Sequence, residues 1–92
     1  MKYFDWNEKK NEELRIRRKI TFEDVLVAIE GDGLLDILEH PHQKKYPGQK
    51  FLVVWLNEYV HLVPFVEDDE KIFLKTIIPS RKMHKKYKRY EE

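Results

Sequence analysis

An arginine placed directly after an apolar run is the first residue of this chain that could do chemistry. In Ile77-Ile78-Pro79-Ser80-Arg81 the strand-like run would position the Arg81 backbone. A guanidinium held this way can grip a phosphate bidentately and stabilise the charge that builds up in phosphoryl transfer. Lys50, at the head of the run Phe51–Leu56, and Lys75, in a later run, add two cations on or beside the same sheet. An ion pair with a nearby carboxylate is the competing use of Arg81. A second grouping is Arg81-Lys82-Met83-His84-Lys85-Lys86-Tyr87-Lys88-Arg89-Tyr90, where cations and rings interleave. Cations neutralise phosphates and rings stack on unpaired bases. Lys82, Lys85, Lys86 and Tyr87 are therefore candidate binding residues, joined by Arg18 and Lys19 from the basic N-terminal segment. Met83 and Tyr87 lie four apart, so a buried helical stripe with only the lysines in solvent is the other reading.

Histidine forms the third grouping: His40-Pro41-His42, His61 and His84. A metal site needs three or four converging ligands, which this spacing does not supply, so no metal is expected. A single imidazole working as acid or base is the better use, because it titrates near neutral pH. His61 and His84 are the candidates. His61 alternates with Val60 and Leu62 in a strand pattern, so a purely structural role stays open for it. There is no glycine-rich phosphate loop, no G-x-S-x-G and no H-E-x-x-H. Ser80 is the only serine, with Thr21 and Thr76 the only threonines. Hydroxyl-nucleophile hydrolysis is not expected, nor is any cofactor.

These residues need elements to hold them. Phe4 and Trp6 alternate with polar residues, predicting a short strand. Asn7 is a plausible N-cap for a charged, surface-lying helix over 8–19, with Glu13 and Arg17 paired at i,i+4. Thr21-Phe22-Glu23-Asp24 has the capping-box form, and Phe22, Val25, Leu26 and Ile29 recur at helical spacing. Gly31 and Gly33 end that helix, glycine being suited to a left-handed C-cap. Beyond them the period changes to two. Leu34–Leu38 predicts a short strand, 40–49 a loop, and Phe51–Leu56, apolar on both faces, a central strand. Asn57-Glu58 predicts a tight hairpin turn into Tyr59–Val66, with Pro64 at a bulge or an edge. Ile72–Ile78 predicts the last strand, and a basic helix follows over roughly 80–90. The fold class is α+β: two N-terminal helices, an antiparallel β-meander and a C-terminal basic helix, in one domain spanning 1–92.

Bulk properties agree with a small internal protein. The 92 residues are 38% charged and 13% aromatic, polar-surfaced yet too ring-rich for disorder. The absence of cysteine excludes disulfides and thiolate sites and points to the cytoplasm. The N-terminus has no signal-like apolar stretch, and no run reaches the roughly 18–20 residues of a membrane helix. The net charge of +1 hides segregation. Residues 1–20 hold seven Lys/Arg against four Asp/Glu, residues 21–79 five against eleven, and residues 80–92 six against two. Both ends are thus basic around an acidic middle, and they can build one cationic face. Solvated helices at both ends would give the same composition.

Three segments, Phe4-Asp5-Trp6-Asn7-Glu8-Lys9-Lys10, Ile20-Thr21-Phe22-Glu23-Asp24-Val25 and Ile77-Ile78-Pro79-Ser80-Arg81-Lys82, together resemble the BrnT family of bacterial toxins. Those toxins begin F-x-W-D-x-x-K, continue H-G-[IV]-x-F-x-x-A, and finish I-I-S-A-R-x-A before a basic helix with a tyrosine. The resemblance covers essentially the whole chain in order. It implies a RelE-like fold and metal-independent RNA cleavage by attack of the ribose 2′-OH. It also implies a BrnA-like ribbon-helix-helix antitoxin as partner, through which operator DNA is reached only indirectly. Arg81 matches the arginine of the S-A-R motif, and Lys50 falls where many members carry arginine. Arg18-Lys19 stands in place of the family's His-Gly. A non-catalytic RNA-binding or regulatory module with basic termini is the alternative expectation.

Overall fold

The computed structural model describes residues 2–87. In chain order the elements are β1 (Tyr3–Trp6), α1 (Glu8–Arg18), α2 (Phe22–Glu30), β2 (Leu34–Glu39), β3 (Lys50–Leu56), β4 (Tyr59–Glu67), β5 (Lys71–Leu74), β6 (Ile78–Pro79) and α3 (Arg81–Lys86). The α+β class stands. The helix starts follow from local chemistry. The Asn7 side chain accepts from the Lys10 N–H, and Thr21 and Asp24 form a reciprocal capping box. Each cap satisfies donors that a helix start leaves unpaired.

The expected glycine C-cap is not left-handed. Gly31 has φ −84°, whereas the left-handed residue falls on α1, at Lys19 with φ 57°. Gly33 serves close packing instead. A Cβ there would stand 2.8 Å from the Ala28 carbonyl oxygen and 2.9 Å from that of Trp55.

Strands β2 to β5 form the expected antiparallel meander, in the spatial order β5-β4-β3-β2. Asn57 and Glu58, with φ of 54° and 59°, make the two-residue turn whose backbone twist matches a hairpin. Two features depart from a simple meander. Strand β1 lies parallel against β5, with Tyr3 opposite Lys71 and Trp6 opposite Leu74, so the sheet is mixed. The last strand is also broken in two. Strand β5 pairs with β4 at Phe65–Glu67, and β6 resumes opposite His61 and Leu62. Between them Lys75 donates to the Pro64 carbonyl at 2.8 Å. Pro64 offers no N–H on that side, so the neighbour cannot continue the ladder there, and Ile77 drops into the core at 1% exposure.

Strand alternation sorts the two faces of the sheet. Leu52, Val54, Leu56, Val63 and Phe65 pack with Leu14, Phe22 and Val25 beneath α1 and α2. Trp6 stacks on Phe22 with ring centroids 5.5 Å apart. Asn11 ties the two helices together: its Oδ1 accepts from the Phe22 N–H at 2.8 Å and its Nδ2 donates to Glu23 at 2.8 Å. On the opposite face Val53 and Val60 are fully buried, and α3 packs there. No helix among the described residues is long and apolar enough to cross a membrane.

Candidate nucleic-acid interface

Helix α3 starts where the sheet ends, and hydrogen bonds join the two. The Ser80 N–H donates to the Val60 carbonyl at 3.0 Å, and the Ser80 hydroxyl caps the helix by accepting from Met83. One turn on, His84 Nδ1 accepts the Val60 N–H at 3.2 Å. Arg81 is thereby held as the first residue of a helix whose origin is tied to β4. It is exposed, and among the described residues it forms no ion pair. Met83, His84 and Tyr87 turn toward the sheet, while Arg81, Lys82, Lys85 and Lys86 face solvent. Met83 and Tyr87 thus form the packed stripe expected of them, and the other side of the helix carries cations in solvent.

Tyr87 is an anchor. Its hydroxyl donates to Asp36 on β2 at 2.7 Å, which pushes the phenol pKa up and holds the Asp36 carboxyl below its usual range. The Lys86 ammonium lies 5.5 Å from the Tyr87 ring centroid. The expected continuation of this helix to residue 90, with Lys88, Arg89 and Tyr90, lies outside the described residues.

The two candidate histidines flank one tyrosine. The His84 ring stacks on Tyr59 at 4.1 Å, with Trp55 at 5.7 Å, and His61 meets Tyr59 edge-on at 6.1 Å. Their hydrogen bonds set opposite tautomers. Because His84 accepts through Nδ1, its ring proton sits on Nε2. His61 donates through Nδ1 to the Tyr59 carbonyl at 3.1 Å, leaving Nε2 as a base. Burial pushes the His61 pKa down, the hydrogen bond to Tyr59 opposes this, and the nearby Arg18 charge adds to the lowering. His61 is 8% exposed, and burial is the largest cause of its lowered pKa.

This predicts a pH effect with a definite sign. The unfolded chain binds a proton near pH 6.5 and the native His61 resists it, so the unfolded state gains protons first on acidification. The native-state advantage is complete above about 6.5 and is lost as pH falls through the lowered folded value. Urea midpoints measured across this window should fall more steeply for the wild type than for His61→Leu; parallel curves would show that His61 does not resist protonation.

Arg18 belongs to the same neighbourhood. Its Nη1 donates to the Ile77 carbonyl at 3.1 Å, which places it beside β6. Lys10, Arg17 and Arg18 border a small groove of about 80 Å³ with Thr76, Ile77 and Ile78. Lys19 is the exposed left-handed cap of α1. Two expected residues lie elsewhere. Lys50 pairs with Glu67 at 3.5 Å and sits four residues along β3 from Val54, the partner of His61, or about 13 Å away. Lys75 donates to the Gln49 side chain at 3.1 Å, at the opposite end of the sheet from α3. Among the described residues no cluster of three His, Cys, Asp or Glu side chains is placed to hold a metal.

Tyr59 and Trp55, which position His84, were missed in the sequence, because a ring in a strand looks like any other core residue. A comparison of the chain with protein-family models, curated proteins and solved structures finds no match.

Proposed function

We propose that this chain is an RNA-cleaving toxin of the BrnT/RelE-like type, held in check by a BrnA-like antitoxin. The observation that carries the reading is Arg81, exposed and without an ion pair among the described residues, at the start of a helix whose outer side is cationic and whose inner side holds His84 against Tyr59. In this chemistry the ribose 2′-OH attacks the adjacent phosphorus. A P–O2′ bond forms, the P–O5′ bond breaks, the 2′-OH proton goes to a base and the 5′-oxygen receives one. The products carry a 2′,3′-cyclic phosphate and a 5′-hydroxyl.

No protein nucleophile is needed, so the protein has to position the strand, move protons and stabilise phosphate charge. His61 is buried on the α1 and α2 face beside Arg18, so it steadies β4 and does not meet the phosphate held by α3. His84 Nε2–H is a donor for a phosphate oxygen, and Arg81 supplies a bidentate grip with Lys82 and Lys85 beside it. An antitoxin silences the protein by covering the α3 side, and the cationic residues there suit an acidic segment of that partner.

The test is incubation of the purified chain with single-stranded RNA in excess EDTA, with end-group analysis of the fragments. Metal-independent cutting to cyclic-phosphate ends is expected, with an all-deoxy strand left intact. Salt-sensitive binding without any cutting would sink the nuclease reading and leave an RNA-binding module in its place.

A further inference from the structure

The loop between β2 and β3 is too polar to be held by burial, since residues 41–48 are all exposed. Hydrogen bonds hold it instead. Gln43 donates to the carbonyls of His40 at 2.9 Å and Gln49 at 3.1 Å, and its side-chain oxygen accepts from the Gly48 N–H at 3.0 Å. Lys45 and Tyr46 both donate to the His42 carbonyl, and Gly48, with φ 76°, turns the chain back.

Within this frame the rings line up. Phe51 stacks on His40 at 5.4 Å, and His40 meets Tyr46 at 4.5 Å and His42 at 5.9 Å. Tyr46 remains 41% exposed, with the Lys45 ammonium 5.5 Å from its ring centroid. Residues 40–46 line a solvent-open cavity of about 650 Å³. That volume lies in the range of small-ligand sites. A preorganised loop also loses little entropy on binding.

Exposed rings beside two lysines match the chemistry of an unpaired nucleobase and its phosphates, because every base has a face to stack and every linkage a negative charge. We propose that this loop is a second RNA contact, with Tyr46 stacking on an unpaired base while Lys44 and Lys45 meet the flanking phosphates. The inference rests on the RNA reading above and deepens it: the substrate is single-stranded where it passes this loop. His40 lies four residues along the chain from Asp36, the residue that anchors Tyr87, or about 13 Å. An extended strand running from the end of α3 toward the far end of the sheet therefore reaches the loop.

Fluorescence anisotropy with a labelled, uncleavable 2′-O-methyl RNA tests this. Tyr46→Ala is expected to bind about tenfold more weakly, while Tyr46→Phe, which keeps the ring, binds as the wild type does. Replacing Lys44 and Lys45 together by glutamine should flatten the log-affinity against log-salt slope by about 1.4. If Arg81→Ala weakens binding and Tyr46→Ala does not, the loop contact is overturned and the RNA reading survives. If the wild type binds no RNA, the RNA reading itself falls. Equal Tyr46 dependence on duplex RNA would overturn base stacking. Tyr46-dependent capture of a polyglutamate peptide in place of RNA would make the loop a protein contact and also overturn the proposal.

Discussion

Arg81→Ala is expected to slow RNA cleavage by about 10²–10³-fold, the usual cost of removing one preorganised stabiliser of transition-state charge. The expectation rests on how the residue is held. Its helix is capped by Ser80 and tied to β4 through Val60, yet its own side chain is exposed and makes no described ion pair. Removing it should therefore leave the melting temperature nearly unchanged, within about 0.5 kcal/mol of stability. Arg81→Lys should recover only part of the rate, since an ammonium keeps the charge without the planar fork. Lys50→Ala provides the contrast. Its partner is Glu67 and it stands far along β3 from the histidines, so less than about a tenfold loss is expected, well short of that for Arg81. Single-turnover cleavage rates for the three variants decide the matter. Arg81→Ala cutting at the wild-type rate would remove the guanidinium from the mechanism.

Phe22→Ala should destabilise the fold by about 3–5 kcal/mol. For a chain of this length the whole stability is about 5–14 kcal/mol, so this single change threatens folding at moderate temperature. Phe22 is fully buried, stacks on Trp6 of β1 and opens α2, and its N–H is held by Asn11 of α1. Truncation would leave a cavity where three elements meet. Val27→Ala is the control on the same helix: at 69% exposure it should change stability by less than about 0.5 kcal/mol. Urea denaturation of both variants provides the comparison. A cost below about 1 kcal/mol for Phe22→Ala would mean that the site collapses around the missing ring.

The features legible in the sequence are those whose partners lie within a few residues. Asn7 and Thr21 cap because they reach donors three positions on. Asn57-Glu58 turns because its two residues alone set the hairpin. Pro64 marks an interrupted ladder because it lacks a donor wherever it sits. The parallel pairing of β1 with β5 was not legible. No turn sets the direction of strands joined through two helices and a meander, and only the shared core does.

The same separation divides the candidate site. Residue types announced a cationic C-terminal helix beginning at Arg81, with histidines and tyrosines near it. Only the tertiary structure determined how they are used. It commits Tyr87 to Asp36 and Lys50 to Glu67, and it places His61 and His84 on either side of Tyr59 with opposite ring protonation. A side chain's chemistry is local, but its hydrogen-bond partner, burial and tautomer belong to whatever strand the fold lays beside it. Arg81 was therefore readable from its sequence neighbours, whereas the histidine pair became visible only once β4 and α3 were side by side.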